Sequence, residues 1–86
     1  MTELELYKFV NDNRIEYHYH FYGNDKKIMM FVSNGYIDEF NELLGEGIME
    51  EEGVNCVIKY GYFCFEMIEI CEYFGIVPEN VFTEKD

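Results

Sequence analysis

Residues 15–33, IEYHYHFYGNDKKIMMFVS, decide the fold. The first half is aromatic, histidine-rich and β-branched, which is poor helix material and good strand material. Gly23-Asn24-Asp25 is a turn signal. The run from Lys27 to Ser33 is again apolar, so the stretch predicts a hairpin with strands over 15–22 and 27–33. Strand side chains alternate. Tyr17, Tyr19 and Phe21 therefore share one face, and Glu16, His18, His20 and Tyr22 share the other. On the return strand Ile28, Met30 and Val32 oppose Met29, Phe31 and Ser33.

Upstream of this hairpin, residues 2–13 read as a helix. Thr2 followed by Glu5 is a capping-box pattern, and Leu6, Phe9 and Val10 fall on one face with Leu4 and Tyr7 at its edges. Asn11-Asp12-Asn13 ends it. Downstream, Ser33 or Asn34 caps a second helix over 35–44, with Tyr36, Ile37, Phe40, Leu43 and Leu44 as its apolar side. Gly45 and Gly47 stop this helix, and a loop over 48–53 follows.

Residues 54–60 read as a third strand, Gly61 as a tight turn, and 62–65 or 66 as a fourth strand. A last helix runs from about Glu66 to Phe74, with Met67, Ile70, Cys71 and Phe74 inward. Gly75 stops it, and Pro78 starts one more turn through Val81 and Phe82. Residues 83–86 are expected to fray. The order is α-ββ-α-ββ-α, two hairpin-plus-helix units behind an N-terminal helix. The expected fold is α+β: a single domain over 1–86 with a four-stranded, mostly antiparallel sheet and helices packed on one face. The other face would carry a mixture of Tyr, His, Met and Phe. Either the C-terminal segment or a longer loop covers it, or it meets a second copy or a partner.

The 86 residues hold 18 acidic and 6 basic side chains, for a formal charge of −12. Nucleic-acid affinity rests on Lys and Arg contacts to phosphate, and this chain has a single Arg, so direct binding to DNA or RNA is excluded. The same sign excludes anionic membrane surfaces. No apolar run approaches the ~18 residues of a membrane span. The start, MTELELYKF, is acidic where a secretion signal would be basic. Three cysteines without a C-x-x-C pair fit reduced thiols, and the expected location is cytoplasmic.

No set of residues predicts a reaction. Glu16, His18 and His20 have the strand spacing of a zinc set, but no second ligand pair joins them. Cys56, Cys64 and Cys71 sit at apolar positions and lack the basic neighbour that a reactive thiolate needs. The run Glu50-Glu51-Glu52 lacks the alternating oxygen ligands of a calcium loop. The reading is therefore no enzyme, no metal and no cofactor.

The carboxylates carry the functional expectation. Asp38, Glu39 and Glu42 line the second helix, Glu66, Glu69 and Glu72 the last one, and Glu50, Glu51 and Glu52 the loop. The two helical sets are single-signed with no i,i+4 Lys, an arrangement that opposes helix stability. A charge of −12 exceeds the magnitude of about 2–8 that solubility asks of a small domain. These nine residues are the expected contacts for a basic partner surface. The competing expectation is a structural or regulatory homodimer through the aromatic sheet face, with the charge serving solubility.

The stretches TELELYKFVNDNRIEYHYH, YIDEFNELLG and EEEGVNCVIKYGYFCFEMIEICEYFGIVPENVF resemble short acidic proteins encoded by phages and prophages of low-GC Gram-positive bacteria. The resemblance covers nearly the whole chain and rests on texture and element order. It implies an accessory protein acting in the bacterial host cytoplasm by binding a host protein. Some such proteins block CRISPR or restriction nucleases by imitating the charge of DNA. No site residue carries over from that resemblance.

Overall fold

The computed structural model describes residues 1–23, 25–45, 56–59 and 61–84; for Tyr22 and for residues 56–59 it describes the backbone alone. The expected loop carboxylates Glu50, Glu51 and Glu52 lie outside the described residues.

The chain is α+β with an antiparallel sheet. Helix α1 (Glu3–Asp12) is followed by β1 (Glu16–Tyr22), β2 (Asp25–Ser33), α2 (Asn34–Leu44), β3 (Cys56–Lys59), β4 (Tyr62–Glu66), α3 (Met67–Phe74) and a 3-10 turn, η1 (Pro78–Asn80). The strands stand in the order β1-β2-β4-β3, and each neighbouring pair is antiparallel.

Helix α1 starts at the capping box read from Thr2 and Glu5. The Glu5 amide donates to the Thr2 hydroxyl (3.2 Å), and the Thr2 amide donates to the Glu5 carboxylate (3.0 Å). That second bond favours the ionised acid and holds the Glu5 carboxyl below its ordinary range. Arg14 then adopts the left-handed region (φ 52°), and the Ile15 amide donates to the Val10 carbonyl at 2.8 Å. Such a reversal usually falls to glycine or asparagine, so Arg14 stores a small strain.

Each hairpin feeds a helix without an intervening loop: Ser33 is the N-cap of α2 and Glu66 the N-cap of α3. Glu66, which the sequence leaves between the end of the fourth strand and the start of the last helix, is thus the end of β4, half-buried opposite Met29. The β2–β4 pairs are symmetric about Phe31 and Cys64, with Met29 opposite Glu66 at one end and Ser33 opposite Tyr62 at the other. The pairing of the inner strands is thereby symmetric about that central pair, and each of them runs directly into a helix.

One core forms between a single face of the sheet and the helices. Leu6, Phe9 and Val10 of α1, Phe40 and Leu44 of α2, and Met67, Ile70 and Cys71 of α3 meet Tyr17, Tyr19, Ile28, Met30, Val32 and Phe65 of the strands. Phe40 anchors it. Its ring stacks on Phe9 (centroids 5.3 Å apart) and meets Phe65 edge-on at 4.8 Å. Burying such a ring contributes about 2–3 kcal/mol.

The C-terminal segment does not cover the second sheet face; it completes the first. Ile76, Val81 and Phe82 are buried in the same core, Phe82 meets Tyr17 edge-on at 4.9 Å, and the Thr83 amide donates to the Tyr17 hydroxyl at 3.1 Å. The cause is the αL turn at Gly75 (φ 68°), whose amide and that of Ile76 close the end of α3 on the Cys71 carbonyl. The chain then points back under the helices, where three apolar side chains find burial.

Candidate functional site

The sheet and helices divide the polar chemistry between two sides. Among the described residues no charged or polar side chain is buried, so every described carboxylate lies at the surface or its margin. Helices α1, α2 and α3 all bury their apolar stripes against one sheet face, which leaves their charged stripes turned outward from one layer. Asp38, Glu39 and Glu42 are exposed along α2, and Glu69 and Glu72 along α3. Glu66, Glu69 and Glu72 line one groove and Glu39 another, whereas Asp38 and Glu42 line neither.

The larger groove, ≈ 570 Å³, lies between α3, the tip of the first hairpin and η1. Its apolar lining is Ile28, Ile68 and Pro78. Glu66, Glu69 and Glu72 stand along the α3 side, so three of the sequence-selected residues come together here. Asp25, Lys26, Lys27 and Glu79 line the opposite side. The Lys26 ammonium is paired with the Glu79 carboxylate, and it stands 5.9 Å above the Phe21 ring. The pairing lowers the Glu79 pKa and raises that of Lys26, each through the hydrogen bond between them. The hairpin tip and η1 are thus clipped together by a solvent-exposed ion pair, an interaction that contributes little to stability on its own.

Glu72 occupies the last turn of α3, where the negative end of the helix dipole disfavours an anion, and no basic residue shares that turn. Next to it, Cys71 is buried, and burial first, then the nearby Glu79 and Glu72 charges, push its thiol up to about 12. This thiol is a packed apolar group.

A smaller groove of ≈ 300 Å³ runs between α1 and α2. Glu5, Asp12 and Glu39 line it with Lys8, over Phe9 and Leu43. Only Glu39 of the sequence-selected acids enters it. Between the two grooves, the Asn80 side-chain amide donates to both carboxylate oxygens of Glu3 at 3.3 Å, which ties the start of α1 to η1.

The second sheet face carries the residues that the hairpin alternation assigned to it. His18 packs edge-on to Phe31 (5.0 Å) and to His20 (5.8 Å), and its Nε2 lies 3.6 Å from a Glu16 oxygen. Met29 and Phe31 are half-buried and Tyr62 is exposed, whereas Cys64, at the centre of this face, is buried. Among the described residues no group of three His, Cys, Asp or Glu side chains is placed to hold a metal ion, and no helix is long and apolar enough to cross a membrane.

The contribution of the hairpin tip and η1 was absent from the sequence reading. Lys26 and Lys27 follow the Gly23-Asn24-Asp25 turn signal in the sequence, and nothing local announces that η1 folds back beside them. Comparison with protein-family models, curated proteins and solved structures gives no match for this chain.

Proposed function

We propose that this protein is an acidic binding module that occupies the basic surface of a partner protein, in the manner of a nucleic-acid mimic. The supporting observation is the shared orientation of the helices: all three bury one stripe against the same sheet face and turn their carboxylates outward from that layer. Duplex DNA presents one negative charge per about 1.7 Å of axis, and carboxylates on a rigid helical layer compete for the same Lys and Arg side chains. On this reading the partner is a nucleic-acid-binding host protein such as a CRISPR or restriction nuclease, and the setting is the bacterial cytoplasm during phage or mobile-element activity. The protein binds rather than catalyses.

The test is capture of partners from a bacterial host lysate at low salt on the immobilised protein, with and without excess duplex DNA. The expected result is a nucleic-acid-binding protein that is released by DNA and lost when Glu39, Glu42, Glu69 and Glu72 are all changed to Lys. A captured partner insensitive to both treatments overturns the reading.

A second reading rests on the other face of the sheet. Half-buried Met29 and Phe31 with exposed Tyr62 offer the side-chain types enriched at interfaces. A homodimer through this face would bury them, against the mutual repulsion of two chains of charge −12. Light scattering decides it: a mass of one chain at micromolar concentration removes the dimer.

A further inference from the structure

We propose that the groove between α3, the first hairpin tip and η1 seats an extended, arginine- or lysine-bearing segment of the partner protein. The inference rests on the reading of the chain as an acidic binding module and locates where a partner's cations enter.

A basic side chain has two parts with different demands, an aliphatic stem and a charged head. The groove supplies both. Half-buried Ile68 and Pro78 offer apolar lining for the stem, and exposed Glu69 and Glu72 line the same groove for the head. These two carboxylates make no hydrogen bond or ion pair with any described residue. A Lys or Arg can lay its stem on such lining while its head meets a carboxylate at the rim. Asp25, Glu66, Glu69, Glu72 and Glu79 outnumber the groove's two lysines, Lys26 and Lys27. Lys26 is already held by Glu79, which places its ammonium at the η1 end.

The position of Glu72 adds an energetic argument. An anion in the last turn of a helix is disfavoured by the helix dipole, and here no residue of that turn compensates. A cation arriving from a partner would relieve that cost, so part of its binding energy comes from a penalty the free protein carries. The groove between α1 and α2 is a weaker host. It has about half the volume, and the Glu5 carboxylate within it already accepts the Thr2 amide.

The experiment uses the full chain and a fluorescein-labelled, nine-residue peptide of alternating Arg and Ala at low salt. Anisotropy gives the affinity, and amide chemical shifts locate the site. Two double variants, Glu69→Lys with Glu72→Lys and Glu39→Lys with Glu42→Lys, alter net charge equally, so only position separates them. The expected result is at least tenfold weaker binding for the α3 pair than for the α2 pair, with shifts concentrated in residues 25–28, 66–72 and 78–79. Where a lysine pair does not fold, Glu69→Gln with Glu72→Gln against Glu39→Gln with Glu42→Gln carries the comparison. Equal weakening by both pairs, or shifts spread across α1 and α2, overturns the groove while leaving the acidic module standing. No binding of the peptide to the wild-type chain overturns both.

Discussion

In the first ββα unit the strands run to seven and nine residues, and in the second to four and five. The inner strands meet about a symmetric centre, and each passes directly into a helix with outward carboxylates. The units part company at the hairpin tips. Asp25, Lys26, Lys27 and Ile28 run on past the last β2–β4 pair, beside α3, and η1 closes on them through Glu79. The second hairpin turns at Gly61, immediately before β4, and among the described residues no hairpin tip lines a groove with α2. The same acidic pattern on two helices therefore has different surroundings. On α2 Asp38 and Glu42 are exposed and only Glu39 lines the smaller groove. On α3 the pattern is one wall of a groove. Charge on a helix becomes a candidate site when a second element rises beside it.

The comparison breaks most easily in the core. Unit one inserts a single large ring, Phe40, between Phe9 and Phe65, whereas α3 buries the smaller Met67, Ile70 and Cys71. Phe40→Ala should cost about 3–5 kcal/mol and Ile70→Val about 0.5–1.5 kcal/mol by urea unfolding. Equal costs would mean that the two helices are anchored alike.

The thiol of Cys71 marks the α3 side chemically. Its folded pKa, raised to about 12 from 9.0, means that the folded chain keeps a proton that the unfolded chain loses above pH 9. The stability this contributes is complete below about pH 9 and disappears as pH rises through about 12. Urea midpoints measured from pH 8 to 11 should fall more steeply for the wild type than for Cys71→Ala. Parallel curves would place Cys71 in a wetter site than the structure gives it.

Two helix ends show the same contrast in backbone form. Both α1 and α3 close through a left-handed residue, Arg14 at φ 52° and Gly75 at φ 68°. A Cβ at Gly75 would meet nothing within 4 Å, so Gly75→Ala measures conformation alone and should cost about 1 kcal/mol. Arg14→Gly should gain up to about 1 kcal/mol in thermal unfolding, since it removes the Cβ from the same conformation.

The smallest effects are the most informative for function. Glu42 and Glu72 both occupy last helical turns that hold no basic residue. Changing either to Gln should raise stability by about 0.3–1 kcal/mol. Only Glu72→Gln should also weaken the binding of a cationic peptide. A loss of binding from Glu42→Gln of the same size would erase the distinction between the two helices.

Much of the scaffold could be read from the residues, because its signals are local. Thr2 and Glu5 announce the start of α1, the alternation in residues 15–33 assigns both faces of the first hairpin, and Gly75 marks the end of α3. The candidate site was legible only as a list of acids. Its geometry depends on how far the first hairpin outruns β4 and on where residues 76–82 return, and neither follows from a local pattern. An uncovered aromatic surface allows the C-terminal segment as a cover, beside a longer loop, a second copy or a partner. The buried contacts of Ile76, Val81 and Phe82 put that segment in the helical layer instead. At Glu66 the sequence leaves strand and helix open, since a strand running straight into a helix leaves no mark at the junction, and the structure ends β4 there.

The central claim is that the acidic helical layer recognises cationic protein surface. Its most direct test is calorimetric titration of the wild-type chain with the Arg-Ala peptide at 50 and 200 mM NaCl. The account predicts binding at the lower salt that weakens by tenfold or more at the higher one, as screening shortens the reach of exposed charges. Absence of binding at 50 mM, or an affinity unchanged by salt, would contradict it.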